Sequence, residues 1–359
     1  ETMGVGVFSG CCVVRSKATP HPHPEEWKVV KELKAPAHEG PVFAPPYLYY
    51  TTTPSTYSKP DIAIERLNVE TGEITTFRKK DVANMPNGMV ICPPTPGDNK
   101  ASNEGSSSIV AEFYTCEQGF KEAPARITRT SIKADGSEQY SVIVEEDEAK
   151  GLHLNSPNDI CVSEIDGSLW FTDPSYGSLQ GFRHHPPKAP NAIYRYNADD
   201  EELRKVVDLG YDGEDHHSKN KPNGICLSPD ERYLYFTNTS AAYPGESYCE
   251  CRFRSIWKIK LNPARSGCVK GTLKKVCDIN PPDPNLQAIP DGLKWVGGHI
   301  VTSCGNDLVF VDPNTCEIVH RKSLSCEEVT NFALSPDGKQ LAVVGNDKVV
   351  ILACAATAA

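Results

Sequence analysis

The chain has 359 residues, is 39% hydrophobic and 8% aromatic, and carries a formal net charge of −10 with a pI near 5.5. That is ample apolar material for a full core, and the acidic balance excludes a nucleic-acid surface, which needs clustered Lys and Arg. No run of 18 apolar residues occurs, so no segment reads as a membrane-spanning helix.

In chain order, residues 1–25 read as an N-terminal extension and residues 26–356 as one domain. Glu39-Gly40-Pro41 opens the first of a series of like units. Four short turns follow: Pro86-Asn87-Gly88, Pro157-Asn158-Asp159, Pro222-Asn223-Gly224 and Pro290-Asp291-Gly292, with central residues 71, 65 and 68 positions apart. Asn331 begins a last, similar segment. After most of these turns comes one plan: an apolar strand, a polar hairpin, and a second apolar strand. Asp166-Gly167, Ser228 to Glu231, Gly297-Gly298 and Ser335 to Gly338 supply the hairpins. The runs that follow, such as Leu169 to Asp173, Tyr233 to Asn238 and Gln340 to Val344, are rich in β-branched and aromatic residues. Further strands are expected at Asn191 to Tyr196, Ser255 to Lys260 and Leu308 to Val311. No long stretch has helical periodicity.

A four-strand unit recurring at that interval marks a radial repeat. Six key positions, 39, 87, 158, 223, 291 and 331, predict an all-β six-bladed propeller whose chain ends share one blade. The longest irregular stretches, Pro93 to Ser108, Gly181 to Pro190 and Ala241 to Arg254, should lie at blade ends and shape a binding mouth. Of the 14 cysteines, Cys161 and Cys226 stand three residues after Asn158 and Asn223, the same slot in two units, where a free Cys packs as a small hydrophobe. The Cys11-Cys12 and Cys249-Glu250-Cys251 pairs lack the spacing of a structural zinc site. The N-terminus shows no signal pattern, so a cytoplasmic protein is the expectation.

A single Pro-Asn-Gly is ordinary turn chemistry. A set of them at blade spacing is different, because a ring gathers equivalent residues at its axis. Glu39, Asn158, Asn223 and Asp291 together offer oxygen donors and two negative charges. That donor set, at the central channel, suits one hard dication, Ca²⁺, Mg²⁺ or Mn²⁺, better than zinc or copper. No Gly-x-Ser-x-Gly elbow, phosphate-cradling loop or dinucleotide fingerprint appears.

The chain resembles the SMP-30/gluconolactonase family of six-bladed propellers, and is similar also to diisopropylfluorophosphatase and paraoxonase. The resemblance rests on Glu39-Gly-Pro-Val-Phe43, Leu154-Asn-Ser-Pro-Asn-Asp159 running into Leu169 to Gly177, Lys221-Pro-Asn-Gly224, and Ile289-Pro-Asp-Gly292. It implies a catalytic metal, most often Ca²⁺ with Zn²⁺ or Mn²⁺ in some members, on Glu39, Asn158, Asn223 and Asp291. It implies a lactonase as the activity: metal-assisted hydrolysis of a cyclic ester, with Asp291 as the first candidate base and Asp159 the second. Asn87, His38, His217 and Tyr176 are the candidate substrate-binding residues; Tyr176 and Asp173 also belong to the segment expected to brace the axis. The chain departs from the family pattern around Cys116-Glu-Gln-Gly119, where the Pro93–Ser108 insertion intervenes. The implied partner is a small molecule, with neither nucleic acid nor membrane; no oligomeric state is readable. Two other readings stay open: a metal-assisted cyclase or isomerase, and a non-catalytic binding platform whose ion is structural.

Overall fold

The computed structural model describes residues 23–56, 61–92, 109–199, 201–211, 220–239, 254–283 and 288–354. Its strands form six four-stranded antiparallel sheets. The first strands of the six sheets are Ala37–Ala44, Pro86–Ile91, Ile160–Val162, Pro222–Leu227, Pro290–Val296 and Asn331–Leu334. Each packs on the next and the sixth packs on the first, which closes a ring. The expected six-bladed propeller is present, and all six key positions fall on or just before an innermost strand.

Burial follows position in the blade. The second strands, held between an inner and an outer neighbour and covered by the adjacent blades, read as continuous apolar runs: Leu169–Asp173 is buried throughout. Outermost strands alternate toward water, and Glu138–Glu145 leaves Tyr140 and Val142 exposed. The core therefore lies between blades, in clusters such as Trp170, Ile193, Ile225, Leu234 and Phe236. Among the described residues the helical content is two 3₁₀ turns and one α-turn, Tyr176–Leu179.

The chain ends share the last blade, as the repeat predicts. Trp27–Lys34 pairs antiparallel with Lys348–Cys354, from Trp27 opposite Cys354 to Lys34 opposite Lys348, and becomes the fourth strand of the sheet that holds Asn331–Leu334 and Gln340–Gly345. Trp27 is 1% exposed and packs with Phe310, Phe332 and Leu341. Its removal opens a cavity at the joint that holds the ring shut. Trp27→Ala should lower the unfolding free energy in urea by about 3–5 kcal/mol. An unchanged midpoint would mean that this strand does not close the ring.

The Gly181–Pro190 segment is pinned down. Phe182 packs with Ile62 and Met85, and the Arg183 guanidinium bonds Glu146 at 2.6 Å and donates to the Ala123 carbonyl at 2.8 Å. It ties blade three to blade two. The other two long stretches, apart from Arg254, lie outside the described residues, as do Cys11, Cys12, Cys249 and Cys251. No two of the ten described cysteines are joined to each other in a disulfide, and Cys161 and Cys226 are buried in equivalent slots of blades three and four.

Candidate metal centre at the axis

One backbone irregularity recurs at the start of the inner strands. In blades one, two, four and five the pairing register jumps between Glu39 and Val42, Pro86 and Met89, Pro222 and Ile225, and Pro290 and Leu293. In blades two, four and five the key residue and the glycine after it fall inside the bulge; in blade one Glu39 pairs with Thr51 and Gly40 falls inside it. A bulge releases residues from the ladder and re-aims them, here toward the axis. The glycines are required by close approach. A Cβ on Gly88 would stand 2.4 Å from the Asn158 carbonyl oxygen, and one on Gly224 would stand 2.2 Å from that of Asp291.

The turns are stitched to their neighbours around the ring. Gly88 N–H donates to the Asn158 carbonyl at 2.8 Å, Thr172 Oγ1 donates to the Asn223 carbonyl at 2.8 Å, and Thr237 Oγ1 donates to that of Asp291 at 3.0 Å. Gly292 N–H reaches the Thr330 carbonyl at 2.8 Å, and Asn331 Nδ2 closes the circle on Glu39 Oε2 at 2.7 Å. Glu39, Asn87, Asn158 and Asn223 are all buried.

Electrostatics at this point are unbalanced. Burial pushes the Glu39 carboxyl up to about 7, with the charge of Asp159 adding to the rise while bonds from Asn331 and Gly40 oppose it. Asp291 is held well above the usual carboxylate range, first by burial and then by the charges of Glu39, Glu328 and Asp159; a hydrogen bond with Asn223 opposes this. Neither Glu39 nor Asp291 has an ion-pair partner within 4 Å among the described residues. Asp159 raises Glu39, and Glu39 and Asp159 both raise Asp291, so negative charge at the axis outweighs what these two carboxyls find nearby. The buried Asn87 Oδ1, with no hydrogen-bond partner among the described residues, adds an uncommitted oxygen. Among the described residues no three His, Cys, Asp or Glu side chains gather as a metal cluster. The donor set that fits a dication here is therefore half amide, and it suits a hard ion bound by oxygen.

The other singled-out residues are placed as follows. Asp159 accepts from Ile160 N–H on Oδ1 at 3.0 Å, and from Ile225 N–H at 3.3 Å and Lys294 Nζ at 3.1 Å on Oδ2. Tyr176 is buried, its hydroxyl 2.6 Å from Thr239 Oγ1 and hydrogen-bonded with Asn223. Asp173 accepts backbone N–H bonds from Asn155 at 2.9 Å and Ser156 at 2.8 Å, which fixes the turn leading to Asn158. His38 lies 2.7 Å by Nδ1 from Asn346 Oδ1, and burial lowers its pKa. The amide oxygen only accepts, so Nδ1 carries the proton and Nε2 is left as an acceptor. His217 lies outside the described residues.

Sequence reasoning passed over the roles of Asn331, Asn346, Glu328 and Lys294. Asn331 was counted as a key position but not as the partner of Glu39. Asn346, 2.7 Å from His38, also donates to Glu328 Oε2 at 3.3 Å, and so links blade one to blade six beside the axis. Lys294 crosses to Asp159. Besides Asn331, only Lys294 left a signal, standing three residues after Asp291, in the slot that holds Val42, Val90, Cys161, Cys226 and Leu334 in the other blades.

A family model described as SMP-30/Gluconolactonase/LRE-like region matches residues 39–344. A gluconolactonase of Zymomonas mobilis subsp. mobilis is 29% identical over 198 residues, 53% of this chain and 48% of that protein. A lactonohydrolase of Aspergillus oryzae is 26% identical over 168 residues, 45% of this chain and 36% of that protein. The matched part thus spans about half or less of these curated relatives. A solved gluconolactonase from Xanthomonas campestris superposes with a TM-score of 0.62 at 22% identity, covering 90% of this chain and 87% of that one. At that identity the likeness speaks for the fold.

Proposed function

The chain belongs to the SMP-30/gluconolactonase/LRE-like family, and from that premise we propose that it is a metal-dependent lactonase acting on a small cyclic ester. The observation that carries the reading is the pair of desolvated carboxyls at the axis, Glu39 and Asp291, both pushed up and the second raised further by the charge of the first, set among amide oxygens. Glu39, Asn158, Asn223 and Asp291 would hold the ion, Ca²⁺ by preference, with Mg²⁺, Mn²⁺ or Zn²⁺ as alternatives. Such an ion, when bound, supplies Lewis-acid polarisation of a carbonyl.

The chain's own groups do the rest. Asp291 takes the proton from the attacking water. Asp159, whose oxygens are already engaged by two backbone N–H groups and an ammonium, serves as a strut. Tyr176, tied to Thr239, holds the Asn223 amide in place. The free Asn87 Oδ1 accepts a substrate hydroxyl, and His38 Nε2 offers a second acceptor beside Glu39.

The test is a panel of lactones followed by pH-stat and mass spectrometry, before and after chelation. Ring opening with a gain of one water, lost with EDTA and restored by Ca²⁺, is the expected result. A product of unchanged mass would point to isomerisation. Turnover indifferent to chelation would sink the metal-dependent reading.

A further inference from the structure

The residue that stands out at the axis is a lysine. Five of the six inner strands carry an uncharged side chain three residues after the key position: Val42, Val90, Cys161, Cys226 and Leu334. Blade five carries Lys294. It stands about 10 Å along the strand from Asp291, at roughly 3.3 Å per residue. Its ammonium donates to Asp159 Oδ2 at 3.1 Å, joining blade five to blade three across 135 positions of sequence. Asp159 is 2% exposed at the side chain and Lys294 is 23% exposed. The same Asp159 oxygen accepts from Ile225 N–H of blade four. Three blades meet at one carboxylate.

The charge of Lys294 is felt widely. It acts on Glu39 of blade one, Cys116 of blade two, Cys161 of blade three and Cys226 of blade four. A surface lysine does not reach four blades; this one is central. At such a place a single positive charge acts in two opposed ways. It relieves repulsion among Glu39, Asp159 and Asp291 in the metal-free chain, and it repels a dication placed among them.

We propose that the Lys294 ammonium, clamped to Asp159 across the axis, is a fixed counter-charge of the metal centre: it holds the metal-free ring together and limits how tightly the oxygen cluster binds a dication. The proposal rests on the metal-centre reading above for its second half only; the clamp stands on the geometry of the chain alone. Lys294 and Asp159 are positioning residues, acting through the ligands rather than on substrate.

The experiment uses chelator-stripped full-length protein in four forms: wild type, Lys294→Met, Asp159→Asn and the double variant. Each is titrated with Ca²⁺ in a calorimeter and melted in EDTA. Lys294→Met should bind Ca²⁺ about tenfold tighter and Asp159→Asn about tenfold weaker, since each removes one unit of charge near the ion. The double variant should return close to wild-type affinity. In EDTA each single variant should melt lower than wild type, and the double variant should recover part of the loss, because it leaves no unpaired buried charge. A folded Lys294→Met with unchanged or weaker Ca²⁺ affinity overturns the affinity-limiting role. Strictly additive losses of melting temperature overturn the clamp. If wild type binds no dication, the metal-centre reading and the affinity-limiting role fall together, while the melting cycle in EDTA still decides the clamp.

Discussion

Asp291→Asn should abolish lactone opening, with a loss of roughly 10³-fold in kcat/KM, the scale of a removed general base, and yet make the metal-free propeller harder to melt. The two effects have one origin. Desolvation pushes the Asp291 carboxyl far up, and the largest charge acting against it is Glu39. Replacing the carboxyl by an amide removes a buried like charge and keeps an oxygen of the same shape, so the metal-free fold gains. The same replacement takes away one of the two negative donors offered to a dication, and with it the proposed base. Activity should therefore fall in Ca²⁺ while the melting temperature in EDTA rises. A variant that is inactive because it is misfolded would melt lower, and one that keeps comparable activity would transfer the base role elsewhere. The combination of dead and more stable is what a purely structural Asp291 cannot produce.

Much of this arrangement was legible in the residue order because the repeat is regular. Pro-Asn-Gly and Pro-Asp-Gly recur at blade spacing, each is followed by an apolar strand, and a ring must bring equivalent positions together. That alone places Glu39, Asn87, Asn158, Asn223 and Asp291 at the starts of inner strands. The bulges at the starts of blades one, two, four and five leave no mark beyond the glycine that permits them. Cross-blade partners were less legible. Lys294 sits in an apolar strand among residues that read as core, and a lone lysine there looks like a chain reaching out to water. Only the comparison of slots, Cys161 and Cys226 against Lys294, shows that it replaces a buried side chain. Asn346 meets His38, and Glu328 meets Asn346, from hairpin and loop positions with no repeat to announce them. Asn331 was visible as the sixth key position, but its bond to Glu39 depends on how the last blade meets the first.

The second large effect is a pH dependence of the wrong sign for an ordinary acidic protein. In chelated wild type, stability should fall as pH rises from about 5 to 8. Glu39 has an ordinary value of 4.5 and is pushed up to about 7 in the fold, by burial first and then by the charge of Asp159. Between those two values the folded carboxyl binds a proton that the unfolded one has released. Stability is then fully present below pH 4.5 and is lost as pH climbs through about 7. Two and a half units correspond to about 3 kcal/mol for Glu39, and Asp291, raised for the same reasons, acts in the same direction. Urea denaturation in EDTA at the two ends of that range reads the difference directly. Glu39→Gln should flatten the profile, because the amide has nothing to release, and should still accept the bond from Asn331. Added Ca²⁺ should also flatten it in wild type, by favouring the ionised pair, and should do so far less in Glu39→Gln. A metal-free wild type that grows more stable toward pH 8 would show that the carboxyls at the axis are already neutralised from within the chain, and the demand for a dication would go with them.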